Sequence, residues 1–297
     1  MHEGNPWASR TNNPSNLFVT HRCRPENEGH LCRTLCDTLS AVVISPDYAK
    51  APQHPYPVAL NQCYALIRWI AHPDGLFDFL SNSGTPSIKT FLPNVDPTRI
   101  ALSGGSSGGN LAAALVVKAM DEPALPLGAR IVGLGLLYAM LDVTVPFQEK
   151  LKSVPDKSKV LPRWLTRLFL DGYLAELRTP QKAEALKHGY LSPALCSSKQ
   201  LAGFPKTIVI TAENDYLCKE GEIFADRLER EAGFPIARDG NKKIGMGQGK
   251  LWRKTFMGVG HGFDIAPNLT KETQRIHGQA RHEAWGMICE AFDQELH

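Results

Sequence analysis

Gly104-Gly105-Ser106-Ser107-Gly108-Gly109-Asn110 is the stretch on which the fold of this chain turns. Before it runs Arg99-Ile100-Ala101-Leu102-Ser103, a short β-prone segment, and after it Leu111-Ala112-Ala113-Ala114-Leu115-Val116-Val117-Lys118, free of Gly and Pro. That order is strand, tight turn, helix, with a Gly-x-Ser-x-Gly pattern in the turn. A serine held there exposes its hydroxyl above the sheet edge, at the N-terminal end of the following helix. The glycines serve a sharp bend in which Cβ atoms would collide with the neighbouring strand and helix. A Gly/Ser-rich loop would show the same letters; the strand and helix patterns on either side favour the nucleophile reading.

Working outward, strand and helix patterns alternate. Leu31 to Leu39 reads as an amphipathic helix and Ala41 to Ser45 as a buried strand. Asn61 to Ala71 reads as a helix, and residues 72–98 as an irregular connection rich in Pro, Gly and Ser. Beyond the central turn, Ile131 to Tyr138, Lys206 to Thr211 and Lys254 to Val259 read as strands. Pro162 to Leu174, notably with Trp164, Leu165, Leu168 and Phe169, Glu220 to Ala232 and Glu272 to Glu295 read as helices. Such alternation predicts a doubly wound, mostly parallel α/β sheet, in which chemistry collects at the carboxyl ends of the strands.

Two more chemical groups stand at predicted strand ends. Thr207 to Thr211 runs into Ala212-Glu213-Asn214-Asp215, and the last strand runs into Gly260-His261-Gly262-Phe263. A serine hydroxyl is a weak nucleophile and needs a base. His261 is suited to take the proton from Ser106, and Asp215 to fix the imidazole tautomer and stabilise the imidazolium. Taken singly, a histidine after a strand is usually structural and an aspartate in a β–α loop usually a helix cap. Three such groups at three strand ends make catalysis the better reading.

With these residues in place, the chain resembles an α/β-hydrolase of the hormone-sensitive-lipase-like esterase group, close to its fungal members. The carrying segments are Asp47 to Pro57 (Asp-Tyr-Ala-Lys-Ala-Pro-Gln-His-Pro-Tyr-Pro), Gly104 to Leu111, Leu141 to Thr144, Thr211 to Asp215 and Gly258 to Phe263. Ser106, Asp215 and His261 stand in the chain order of that fold's triad. The resemblance implies one α/β-hydrolase domain over 1–297. Asp47 to Pro57 would buttress the floor of the active site, and residues 142–200 would form part of a helical cap over the acyl pocket. It implies hydrolysis of a carboxylic ester of short or medium acyl chain, or of a small hydrophobic metabolite, with no metal or organic cofactor. The fungal likeness extends the expectation to an ester or lactone of secondary metabolism or toxin biosynthesis.

The pattern departs from the group in two places. A His-Gly-Gly-Gly loop, whose amides build much of the oxyanion hole, is missing upstream of Asp47-Tyr48; its positional counterpart is Leu17-Phe18-Val19-Thr20-His21 followed by Arg22-Cys23-Arg24. The backbone N–H of Ser107 is the remaining expected donor, and losing one donor costs on the order of 10²–10³ in turnover. The group's earlier strands and N-terminal cap helices have no room in this shortened terminus (residues 1–25), which predicts an uncovered sheet edge. The second departure is a surplus between Asp215 and His261, assigned to the Gly-rich, charged stretch Arg238 to Lys250 and read as a surface loop.

Composition narrows the alternatives. The 297 residues, 43% hydrophobic, suffice for one substantial core, and a net charge of +3 with mixed signs argues against a nucleic-acid partner. Polar residues Met1 to Asn16 argue against a secretory signal, and no apolar run approaches the roughly 20 residues that span a bilayer, so a cytoplasmic location is expected. Seven irregularly spaced cysteines make no disulfide framework, and Cys32 and Cys36, one helical turn apart, read as buried thiols rather than metal ligands. Asn268-Leu269-Thr270 fits a glycosylation acceptor that a cytoplasmic protein would not use. The expected partner is a small hydrophobic ester or lactone, and a bare sheet edge or the closing helix would allow a homodimer. Two other functions compete: a ligand-binding protein on the same scaffold, which the missing glycine loop favours, and a dehydratase or lyase using the same base.

Overall fold

Helices between the strands supply the long crossovers that parallel pairing needs. The computed structural model describes residues 15–21, 29–82, 84, 95–177, 181–235, 249–265 and 270–296. Its strands are β1 (Ser15–His21), β2 (Ala41–Ile44), β3 (Val95–Gly105), β4 (Arg130–Leu137), β5 (Lys206–Asn214) and β6 (Leu251–Gly260). They form one sheet in the order β2-β1-β3-β4-β5-β6, and every pairing among them is parallel. The helices are α1 (Gly29–Leu39), α2 (Val58–Ile70), α3 (Leu76–Asn82), α4 (Ser107–Asp121), α5 (Phe147–Lys150), α6 (Arg163–Tyr173), α7 (Gln181–Lys187), α8 (Ser198–Ala202), α9 (Cys218–Arg230) and α10 (Lys271–Leu296).

Alternation along the strands sorts the core into two layers. Ile100, Leu102, Leu134, Leu136 and Val209 meet the buried faces of α2, α4 and α9. Ala101, Leu137, Ile208, Ile210 and Trp252 meet Leu31 and Leu35 of α1 and Ala284, Ile288 and Phe292 of α10 on the other side. The chain steps from β1 out to β2 and returns to place β3 on the opposite side of β1, so the direction of winding reverses between β1 and β3. The crevice at the carboxyl ends of those two strands is where open α/β sheets bind ligands. Ser106 follows β3 directly, and the end of β1 lies in register with it, His21 opposite Gly104.

Several expectations need correction. The stretch 72–98 is not wholly irregular: Leu76–Asn82 is helical and β3 already begins at Val95. The helix after the central turn starts at Ser107, not Leu111, because the elbow is tight enough for Gly108 and Gly109 to be helical themselves. Cys32 and Cys36 sit on α1 half-buried rather than buried. On α6, Trp164, Leu168 and Phe169 are 67%, 59% and 60% exposed, and Thr166 is that helix's buried residue. Among the described residues the sheet ends on the short strand β2, whose Val42, Val43 and Ile44 are half-buried. Residues 1–14, most of the Arg238 to Lys250 stretch and Asn268 lie outside the described residues. Among the described residues no helix is long and apolar enough to cross a membrane.

The segment Asp47 to Pro57 packs against α6 of the 142–200 stretch. The Tyr56 amide donates to the Tyr173 carbonyl (2.8 Å), the two rings meet edge to face at 5.9 Å, and Pro52 packs under Gly172. A cavity of about 560 Å³ opens beside this segment, lined by Pro46 to Lys50, Gln62 and Cys63 and by none of Ser106, Asp215 or His261.

Candidate active site

A strand that must turn into a helix within one residue forces that residue out of the ordinary backbone regions. Ser106 takes the strain, at φ 56° and ψ −121°, a conformation costing about 1–3 kcal/mol that persists only where its surroundings over-determine it. They do so here. The Ser106 amide donates to the Leu137 carbonyl on β4 (3.0 Å), and its own carbonyl accepts from the amides of Asn110 (3.1 Å) and Met140 (3.2 Å). The Asn110 side chain donates to the carbonyls of Met140 and Leu191, both at 2.8 Å, pinning the first turn of α4 to the segment after β4.

The glycines around Ser106 are there for space. A Cβ on Gly104 would fall 2.4 Å from the carbonyl carbon and oxygen of Gly108, and one on Gly109 2.5 Å from Cβ of Ala139. Backbone atoms of the elbow cannot swing aside as a flexible side chain can. Gly104→Ala is therefore expected to destabilise the fold by about 1–3 kcal/mol. Urea denaturation measures it, and a midpoint equal to wild type would mean that the elbow is looser than described.

The carboxylate comes from the turn after β5. Asp215 is buried, and its Oδ1 accepts the Leu217 amide at 3.0 Å, which fixes the carboxylate plane and leaves Oδ2 facing His261. The neighbouring Glu213 accepts the Gly258 amide (2.8 Å), lacing the β5 end to the strand that delivers the histidine. His261 Nδ1 lies 2.7 Å from Asp215 Oδ2, and His261 Nε2 lies 2.9 Å from Ser106 Oγ. An ionised carboxylate only accepts, so Nδ1 carries the proton and Nε2 is left to accept the serine hydroxyl. The three residues read from the sequence thus meet in one relay. The fourth, Ser107, is the exposed first residue of α4, so its amide belongs to the positive end of the helix beside Ser106.

Aromatic rings enclose the imidazole, whose side chain is only 10% exposed. Tyr216 stacks on it (centroids 6.3 Å, 21° between planes) and Tyr138 meets it edge-on at 5.0 Å. Residues of the 142–200 stretch gather around Tyr216: Phe147, Leu151, Val154, Val160 and Leu161 form one apolar cluster with it and Leu217. Thr166 on α6 hydrogen-bonds the Tyr216 hydroxyl at 3.4 Å.

Two further groups escaped the sequence reading. Glu220, buried on α9, accepts the amides of Leu141 (2.6 Å) and Asp142 (3.4 Å) and pairs with Lys150 of α5. Burial pushes its carboxyl up to about 7, against the lowering pull of Lys150. Asp264, also buried, accepts from Tyr138 and Trp285. Asp264 stands three residues after His261, which was the only hint available; its partners are remote in the chain.

The fold and this site define an α/β-hydrolase architecture with a serine, histidine and aspartate at three strand ends. The chain belongs to the alpha/beta hydrolase fold family, whose profile matches residues 18–237. It is 27% identical over 247 residues to an arylacetamide deacetylase from Bos taurus, covering 67% of this chain and 58% of that protein. It is 29% identical over 243 residues to an arylesterase from Saccharolobus solfataricus, covering 79% of this chain and 68% of that one. Among solved structures, a thermostable esterase from Pseudomonas putida ECU1011 aligns with a TM-score of 0.69 at 25% identity, over 98% of this chain and 77% of that one. The chain thus spans little more than half of the bovine relative.

Proposed function

We propose that this chain is a serine carboxylesterase acting on an ester or lactone of a small hydrophobic metabolite, with a role in secondary metabolism. The observation that carries the reading is the pair of hydrogen bonds on His261, one to the nucleophile and one to the acid. Ser106 Oγ attacks the acyl carbon while His261 Nε2 removes its proton, and the Asp215 carboxylate stabilises the imidazolium that results. The tetrahedral oxyanion forms beside the amide of Ser107, at the head of α4. His261 then returns the proton to the departing alcohol oxygen, and a water activated by the same nitrogen cleaves the acyl-enzyme. The apolar cluster from residues 142–200 around Tyr216 serves as the wall of the acyl site, which supports a hydrophobic substrate. The names of the two relatives, a deacetylase and an arylesterase, favour acyl transfer to water over elimination.

A fluorophosphonate probe tests this directly. Wild-type protein is expected to label rapidly at one serine, with labelling lost in Ser106→Ala and kept in Ser107→Ala, where only the side chain changes. Folded wild-type protein that fails to react would leave a ligand-binding role on the same scaffold.

A further inference from the structure

We propose that Tyr138 and Asp264 are positioning residues for the base: a buried aspartate that sets, through a tyrosine ring, the plane of His261. This rests on the esterase reading above for its kinetic consequence but not for its geometry. The imidazole is useful only while both of its nitrogens stay in line, Nδ1 with Asp215 and Nε2 with Ser106, and a rotation of the ring breaks both bonds together. Yet His261 stands at the start of a turn, just beyond β6, followed by Gly262 at φ +68°, a backbone with little stiffness of its own.

Tyr138 supplies what the turn lacks. It closes β4 in a strained left-handed conformation, φ 38°, and its amide donates to the Ile210 carbonyl on β5 at 2.7 Å. The residue before it, Leu137, accepts the Ser106 amide. One tyrosine is therefore fixed to the strand that leads to the acid and joined to the residue that braces the nucleophile. Its ring meets His261 edge-on at 5.0 Å and Phe263 edge-on at 5.7 Å, gripping both ends of the His261-Gly262-Phe263 turn.

The tyrosine hydroxyl in turn donates to Asp264 Oδ1, and Trp285 Nε1 on α10 donates to Asp264 Oδ2 at 3.1 Å. Asp264 is 2% exposed, so its carboxylate has been brought out of water at a cost that an apolar residue in the same space would not incur. What the carboxylate offers in exchange is direction. It belongs to the turn that carries His261, so the bond to Tyr138 clamps that turn against a rigid strand end, and the bond to Trp285 clamps it against the closing helix.

The test uses Tyr138→Phe, which keeps the ring and deletes only the hydroxyl, beside Asp264→Asn and Trp285→Phe. Sites are counted with a fluorophosphonate taken to completion, and hydrolysis of p-nitrophenyl butyrate is expressed per counted site. Tyr138→Phe is expected to lower kcat about ten-fold with KM unchanged, the loss that a slightly misplaced base produces. Its effect and that of Asp264→Asn should be non-additive, since both cut the same clamp. A purely structural role would lower the melting temperature while turnover per counted site stayed at the wild-type value, and that result overturns the proposal.

A second readout needs no turnover. The Nδ1 proton of His261, followed by NMR in protein labelled with ¹⁵N-histidine and assigned by its loss in Asp215→Asn, is expected to give a sharp downfield line. That line should broaden in Tyr138→Phe and, where that variant does not fold, in Trp285→Phe. Unchanged lines in the folded variants overturn the positioning role. Wild-type sites that refuse the probe count against the esterase reading instead, and the NMR comparison still decides this one.

Discussion

Replacing His261 by alanine should lower ester turnover by about 10⁴- to 10⁶-fold and leave the protein folded. No other described nitrogen base hydrogen-bonds Ser106 Oγ, so deleting the ring leaves a neutral hydroxyl as the attacking group. The fold survives because Asp215 keeps the Leu217 amide as a donor and His261 belongs to neither apolar core layer. Asp215→Asn is expected to cost about 10⁴-fold by a different route. The amide would turn its NH₂ toward Nδ1, the imidazole would shift its proton to Nε2, and that nitrogen could no longer accept from the serine. Steady-state kinetics with circular dichroism on both variants checks this. Turnover in His261→Ala equal to wild type would remove the relay from the mechanism.

The largest effect on stability is expected at Lys150. Its side chain is 8% exposed and pairs with Glu220, 6% exposed, while also donating to the Asp142 carbonyl at 2.6 Å. Lys150→Met strips the countercharge from a buried carboxylate, a change that costs about 3–5 kcal/mol. The cost should depend on pH in a definite sense. Burial raises the folded-state pKa of Glu220 to about 7, above the ordinary carboxylate value of 4.5. The folded protein therefore binds a proton that the unfolded chain has released, and the stability linked to this group is present at low pH and lost as pH rises through about 7. Removing Lys150 lifts the carboxyl further. The variant's deficit should then be small near about pH 5.5, where the group is neutral in both proteins, and clearly larger near about pH 8, where the wild-type carboxyl is ionised beside Lys150. Urea denaturation at both values measures it; an equal deficit at the two would mean that Glu220 does not titrate in this range. Because the pair joins α5 of the insertion to α9 behind Asp215, its loss should also loosen the apolar wall beside the relay.

The legible part of this protein was local. The Gly-rich turn between an apolar run and an Ala/Leu helix gave the elbow, because tight turns need small residues wherever Cβ atoms have no space, as at Gly104. The strands carrying Asp215 and His261 were found by their β-branched and apolar runs, and both residues stand where strand ends were expected. Boundaries were less legible. Helix α2 begins at Val58 rather than Asn61, and Trp164, Leu168 and Phe169 mark a helix whose apolar stripe stays exposed, since periodicity reports that a face exists but not what covers it.

Determined by the sequence alone were the alternating α/β order, the turn at Ser106 and the identity of the three groups that meet there, because each depends on short-range sterics and on the chemistry of a side chain. Tertiary structure alone decided which strands are neighbours, where the winding reverses, and that Tyr138, Glu220 and Asp264 stand around the site. Tyr138 and Asp264 are 126 positions apart, and Leu141 and Glu220 are 79. Contacts over such separations follow from how the sheet orders its strands and stacks its helices, and no local pattern of residues encodes that order.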